Sequence, residues 1–448
     1  MGLTPAELTA RSKKEYGELI EELFSTAKDF VPVRTEHAIA TEDGYKGMKS
    51  TEQFKFRKAS RDANYRLNAL WRQRMITTEG CLREKMALFW HGHFAAWSHW
   101  STSTEQYLNT LRENALGNFR TMLKAISRSA EMLEFLNNQR NKKDAPNENF
   151  ARELMELFTL GRGHYTEQDI HEAARAFTGW AFKLESAEFI FREKQHDFGE
   201  KTFRGKTGNF DGDDILDQLL ADKQTARFIS NRIYQWFVNA GTPNEAFVSS
   251  MADRFFGSGY DIADLMRFVF ASEVFKSSLG ARIKSPVELI CGLDKNFRIR
   301  FELEENALFV QRMLGQELLY PPSVAGWKEG TGWIDSNSLM LRLKLPAALL
   351  NQGSLDWDAP ASSPQENDMM MSMTGGDAPM RDGKGRVFRT LPDKAAFLAQ
   401  LDPHITNDAL FSMLLQVDPS DALRANVSHG DLMERVLEIL SSPEYQLC

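Results

Sequence analysis

The sequence predicts a predominantly α-helical protein, a large irregular helical domain with one small β-hairpin inserted near residues 187–204. Three observations carry this expectation. Apolar residues recur at spacings of three and four along most of the chain. Ser, Thr, Asp and Asn stand where helices should begin, and Gly where they should end. Only over 187–204 does the pattern turn to alternation, with Phe189 and Phe191 flanked by polar neighbours and Gly199 midway to Thr202-Phe203.

Leu8, Tyr16, Ile20, Leu23 and Phe24 define an amphipathic helix over 5–30, ended by Val31-Pro32. A linker around 44–50 leads to a second helix through Trp71 and Met75, and Thr77-Thr78-Glu79 opens a third running toward Trp100. Further helices are expected over 103–115, 117–126, 128–138 and 147–160. Thr166 should cap the next one by accepting from the Asp169 N–H, and that helix should reach about Trp180. Gly161 and Gly163 sit where the preceding helix must stop. Helices resume at Asp214 and continue to about Leu350, broken by Gly241-Thr242-Pro243, Gly257-Ser258-Gly259 and Tyr320-Pro321-Pro322. The chain thus divides into an N-terminal helix and linker (1–50), a main helical domain (51–350), a flexible Met/Pro/Gly-rich loop (351–392) and C-terminal helices packing on the main domain (393–448).

A net charge of -8 argues against a nucleic-acid partner, because phosphate neutralisation needs concentrated Lys and Arg. Cys81, Cys291 and Cys448 are odd in number and far apart, which rules out a disulfide framework and an all-cysteine zinc site. No apolar run is long enough to span a membrane, and no charged n-region precedes an apolar stretch, so a cytoplasmic protein is expected. The cluster Met369, Met370, Met371 and Met373 has no His or Cys beside it and reads as a flexible surface rather than a soft-metal site.

Three clusters could carry chemistry. The first is Trp90-His91-Gly92-His93. Residues two apart on a regular helix point about 200° apart, so His91 and His93 can share a metal only if Gly92 interrupts the helix. Trp90, His93, Trp97 and Trp100 fall on one stripe, the pattern of a core histidine. The second is the helix after Pro146-Asn147, where Asn149, Glu153 and Glu156 line one stripe beside Phe150, Leu154, Leu157 and Phe158. Carboxylates at i and i+3 are one way a helix presents ligands to a divalent metal, although Arg152 and Arg175 could equally make this an ion-pair network. The third is His196-Asp197-Phe198-Gly199-Glu200-Lys201, a His–Asp pair suited to acid–base work or metal ligation. Strand–helix GxGxxG, Walker, HExxH and Gly-x-Ser-x-Gly patterns are all missing.

Several strings together resemble a known family. They are FWHGHF over 89–94, NENFARELMELFTLG over 147–161, YTEQDI over 165–170 and AARAFTGW over 173–180. His196-Asp197 with Lys201-Thr202-Phe203, Lys284-Ser285-Pro286-Val287-Glu288 and PPSVAGW over 321–327 follow in order. From about residue 65 to Ser442-Pro443-Glu444-Tyr445 the chain resembles the bacterial family catalogued as domain of unknown function 1800. The resemblance implies a helical domain and a sulfatase-like partner protein. Many relatives look exported, whereas no export signal is read in this sequence. Phe158 also stands where relatives often carry His, and Asp335 where Asn is frequent.

The leading expectation is an enzyme with an acid–base or metal-assisted site, hydrolytic in its simplest form. Glu153 and Glu156 would be base or ligand. His91 and His93, with Glu153, would hold a divalent metal, or the imidazoles would stabilise an oxyanion, and His196–Asp197 would close the site. The alternative is a non-enzymatic binding or scaffold protein that meets a partner through its aromatic helices, with the polar cluster structural.

Overall fold

The computed structural model describes residues 2–351, 354–355, 386–387, 389–427 and 430–448. The Met/Pro/Gly-rich stretch, including the four Met residues, lies largely outside the described residues. Elsewhere the protein is predominantly helical, with a few short two-stranded antiparallel pairs.

Local chemistry sets many of the boundaries. Thr166 accepts from the Asp169 N–H at 3.1 Å while Asp169 accepts from the Thr166 N–H, closing a capping box ahead of the helix Glu167–Ala176. Ser285 and Glu288 do the same for Pro286–Phe297, with Pro at the first helical position. The single helix expected over 5–30 is two, Pro5–Arg11 and Tyr16–Thr26, because the Thr4–Glu7 and Glu15–Glu18 boxes each start a new one. Much of the expected linker around 44–50 belongs to the helix Glu42–Gly47 under a Thr41 cap.

The hairpin region is also richer than expected. Trp180–Phe182 pairs with Phe189–Phe191, and Lys201–Phe203 pairs with Lys206–Gly208. The turn of the second pair is Arg204-Gly205, with φ of 48° and 77°. Two successive positive φ values suit the two-residue loop whose twist matches the flanking strands. Gly199, the expected turn, lies between the two pairs instead.

Two apolar cores hold the molecule. One runs from Ile20 to Tyr320, the other from Leu289 to Tyr445. The helix Pro286–Phe297 joins them, giving Val287 and Cys291 to the first and Leu289, Ile290, Leu293 and Phe297 to the second. A helix apolar around most of its circumference has to be interior.

The PPSVAGW string reaches back to the helix Cys81–His93. Gly326 has φ +81°, and a Cβ there would lie 2.3 Å from the Gly92 carbonyl oxygen. Trp327 is buried beside it and meets the His91 ring edge-on at 5.1 Å. Gly326→Ala is therefore expected to lower stability by about 1–3 kcal/mol in urea unfolding. Gly257→Ala, at a helical position with open space around it, is the control and should be neutral or stabilising.

Candidate functional site

The helix Cys81–His93 runs through Gly92 without interruption, and the Phe94 N–H still bonds the Trp90 carbonyl at 2.8 Å. His91 and His93 consequently face different neighbours. His91 stacks on Trp71 at 5.7 Å and meets Tyr107 and Trp327. His93 lies among Phe89, Trp90, Phe94 and Phe158. Its Nε2 is 3.2 Å from the Phe158 carbonyl oxygen, so the Nε2–H tautomer donates there. Burial pushes the His91 imidazole down to about 4. Burial and then the Arg232 charge take His93 down to about 3. Both rings are neutral core groups at neutral pH.

Glu153 and Glu156 stand at a break in helix geometry. Asn149–Glu153 is α-helical, but Leu154–Thr159 is a π-helix. The Thr159 hydroxyl bonds the Leu154 carbonyl at 2.6 Å, and the N–H groups of Leu160 and Gly161 both reach the Met155 carbonyl at 3.0 Å. Gly161, with φ +82°, then ends the element. Such wide turns recur at functional sites. Glu156 accepts from Arg162 Nε at 2.5 Å and from the Tyr165 hydroxyl at 2.9 Å. Burial works to raise its pKa, but these bonds and the arginine charges bring it below the ordinary carboxylate value. Glu153 is half-buried, and among the described residues nothing hydrogen-bonds its carboxyl. Burial, then the Glu156 charge, pushes it up. Arg152 turns away to Glu167, at 2.7 and 2.9 Å.

His196 and Asp197 belong to a different environment. His196 is buried, with Nδ1 at 2.8 Å from the Thr178 carbonyl oxygen and its ring against Phe191 and Phe198. Asp197 accepts from Arg175 Nε at 2.8 Å, and Arg175 also donates to Glu172 at 2.7 Å. Burial would raise Asp197, but the Arg175 and Gly199 bonds hold it below its usual value. Lys201 is buried and donates to the Asp197 and Gly199 carbonyls at 2.6 and 2.9 Å. This ladder ties the hairpins to Glu167–Ala176. Gly179 seals it, since a Cβ there would lie 2.8 Å from the Arg192 carbonyl oxygen.

The expected residues thus occupy three places. Glu153 and Glu156 attach near the start of Glu167–Ala176 through Arg152 and Tyr165, while Asp197 attaches at its end through Arg175. Eight residues of α-helix separate those attachments by roughly 12 Å. Among the described residues no three His, Cys, Asp or Glu side chains gather in a metal-holding group. Sequence reasoning also passed over Glu131 and Glu134, one turn apart on Ala130–Phe135 and turned inward. Two acidic residues interleaved with Met132, Leu133 and Phe135 on so short a helix were the available signal.

Fold and site together define a helical protein that presents one carboxyl pair where an α-helix gives way to a π-turn and keeps His91, His93 and His196 interior. A family model described as "Protein of unknown function (DUF1800)" matches residues 1–447, and the chain belongs to that family. No curated protein and no solved structure matches it. No helix among the described residues is long and apolar enough to cross a membrane.

Proposed function

We propose that the protein is an acid–base enzyme in which Glu153 and Glu156 divide the proton-transfer roles. The observation that carries this is the unlike setting of two carboxyls one turn apart: Glu153 is half-buried with no hydrogen-bond partner among the described residues, while Glu156 accepts from Arg162 and Tyr165, and these settings bias Glu153 toward its neutral form and Glu156 toward its ionised form. Environments that drive two neighbouring groups apart are how a site supplies an acid and a base at one pH. Glu153 would give a proton to a leaving group. Glu156, oriented by Arg162 and Tyr165, would take one from water or a substrate hydroxyl. His91 and His93 support the scaffold beneath: the His93 bond to Phe158 engages a carbonyl of the same π-turn. The Asp197–Arg175–Glu172 ladder keeps the neighbouring hairpins in place.

Purified protein assayed against chromogenic esters, amides, glycosides and phosphate esters should turn over at least one class. Glu153→Gln should reduce that turnover by about 10²- to 10⁴-fold with an unchanged unfolding midpoint. Carbon-detected NMR titration gives a second test that needs no substrate. Should Glu153 lose its proton at lower pH than Glu156, the division of roles is wrong.

A further inference from the structure

We infer that two adjoining cavities beside the helix Pro5–Arg11 form a binding site, separate from Glu153 and Glu156, for a free alkyl carboxylate. The first, of about 260 Å³, lies between Leu3 and Leu8, the helix Pro286–Phe297 and the chain at Tyr445. The second, of about 400 Å³, lies between the same N-terminal residues and the helix Tyr16–Thr26. Gly2, Leu3 and Leu8 line both, so an elongated ligand held in one extends into the other past these residues. Leu3 is 37% exposed, which leaves the rim open to solvent. Cavities of this order are the size that small organic molecules occupy.

The two differ in chemistry. The larger is walled chiefly by Leu3, Leu8, Leu19 and Leu23, and its only charged groups, Arg11 and Glu22, pair with each other at 3.3 Å. It suits a hydrocarbon chain and has no free charge for a polar head.

The smaller cavity holds a cation that lacks an anion. Lys284 lines it and makes no ion pair among the described residues. Its Nζ donates to the Tyr445 carbonyl at 2.6 Å and rests 3.7 Å from the centre of the Tyr445 ring. Glu288 lines the same cavity but is already engaged by Lys85 and by Arg282, the latter at 3.4 Å. Arg342, 0% exposed, gives Nη2 to the Lys284 carbonyl and leaves Nη1 unpaired, so it adds positive charge beside Lys284. Burial brings the Lys284 ammonium down to about 8 against the pull of Cys448 and Glu288, and Arg342 and Lys85 add to the fall. An anion placed there restores the charge that burial disfavours.

Charge and shape together select the ligand. Lys85 and Glu288 balance each other at the cavity wall, and Lys284 is left over, so a monoanionic head completes the site. The Gln416 amide lines the same cavity and supplies a donor to a carboxylate oxygen. An alkylammonium would meet like charge, and an alcohol would leave Lys284 uncompensated. The apolar walls then favour a chain long enough to pass Leu8, since each buried methylene adds to affinity. Concave walls fit a free acid and not the flat face of a bilayer.

Isothermal titration of the full chain with sodium decanoate tests this, with sodium butanoate, decylamine and decanol as comparisons. The expected result is one saturable site per chain that prefers decanoate to each of the other three by about tenfold or more. Lys284→Met should weaken decanoate binding by about tenfold or more. Leu8→Trp fills the space between the cavities from a half-buried position and keeps the Lys284 ammonium. It should weaken binding similarly, and it decides the matter alone if Lys284→Met fails to fold. Absence of saturable decanoate binding, equal or tighter binding of decylamine or decanol, or unchanged affinity in either folded variant would each overturn the inference. So would retention on phosphatidylglycerol vesicles without binding of the free acid. Glu153→Gln should bind decanoate as the wild type does, which keeps this outcome distinct from that of the Glu153–Glu156 reading.

Discussion

Glu84→Ala is expected to cost about 3–5 kcal/mol of folding stability, more than the strain introduced by Gly326→Ala. Glu84 is buried on the helix Cys81–His93 and receives both arms of Arg112, Nε to Oε2 at 2.8 Å and Nη2 to Oε1 at 2.7 Å. Trp71 Nε1 adds a third bond at 2.9 Å. Side-chain exposures of 0% for Arg112 and 2% for Glu84 mean that water cannot replace the lost partner. Truncation therefore strands a guanidinium in the core. Arg112 also donates to the Val31 carbonyl at 3.0 Å, so the loss spreads to the N-terminal segment. Urea unfolding measures it. A loss below about 1 kcal/mol would mean that Arg112 finds another anion or reaches solvent. Replacing both partners together, Glu84→Leu with Arg112→Met, should recover much of the stability, because an apolar pair leaves no charge unpaired.

Acid should unfold the protein through His91 and His93. Both are neutral when folded, with pKa values brought down from 6.5 to about 4 and about 3. Between those values and 6.5 the unfolded chain binds protons that the folded chain does not, so stability is full above pH 6.5 and falls as pH drops toward 4. Each ring should contribute about 2 kcal/mol of loss by pH 5. Glu131 acts in the opposite sense. Its raised value means that the folded state takes up its proton first and gains stability in acid. The informative quantity is therefore a difference. The change in unfolding free energy between pH 8 and pH 5 should shrink by about 2 kcal/mol in His93→Phe, and by a similar amount in His91→Phe. An unchanged slope in both variants would show that these rings titrate normally.

Features decided within one turn of chain were legible in the sequence. Thr166 and Asp169 announce a helix start because the cap needs only those residues. In the strings Gly179-Trp180 and Gly326-Trp327 the glycine is likewise required on the spot, by positive φ and close backbone approach. The helical class followed from many such local signals agreeing.

Long-range chemistry was not legible. Periodicity gave an ordinary helix over 147–160, whereas the π-turn at Leu154–Thr159 brings in the Thr159 hydroxyl and a carbonyl taken by His93, far off in sequence. Arg204-Gly205 was missed as a turn because Arg is an uncommon residue at φ 48°. His-Gly-His left room for a break, yet a single helical glycine costs only about 1 kcal/mol, which the packing around Gly92 outweighs. Glu131, buried on a short helix, carries no local signal of its burial.

The contact between the helix Cys81–His93 and the chain near Gly326 has a consequence for synthesis. That helix is buried along most of its length, and some of the partners that cover it are translated much later. Lys85 pairs with Glu288, 203 residues downstream, and Gly92 meets Gly326 later still. At the usual 5–20 residues per second a ribosome needs roughly 10–40 s to cover that distance. During that interval Lys85 and Gly92 have emerged without the partners that cover them, whereas Trp90 meets Phe119 and Phe89 meets Trp236 and Phe237 sooner. Newly made chains are thus a natural client for a holding chaperone.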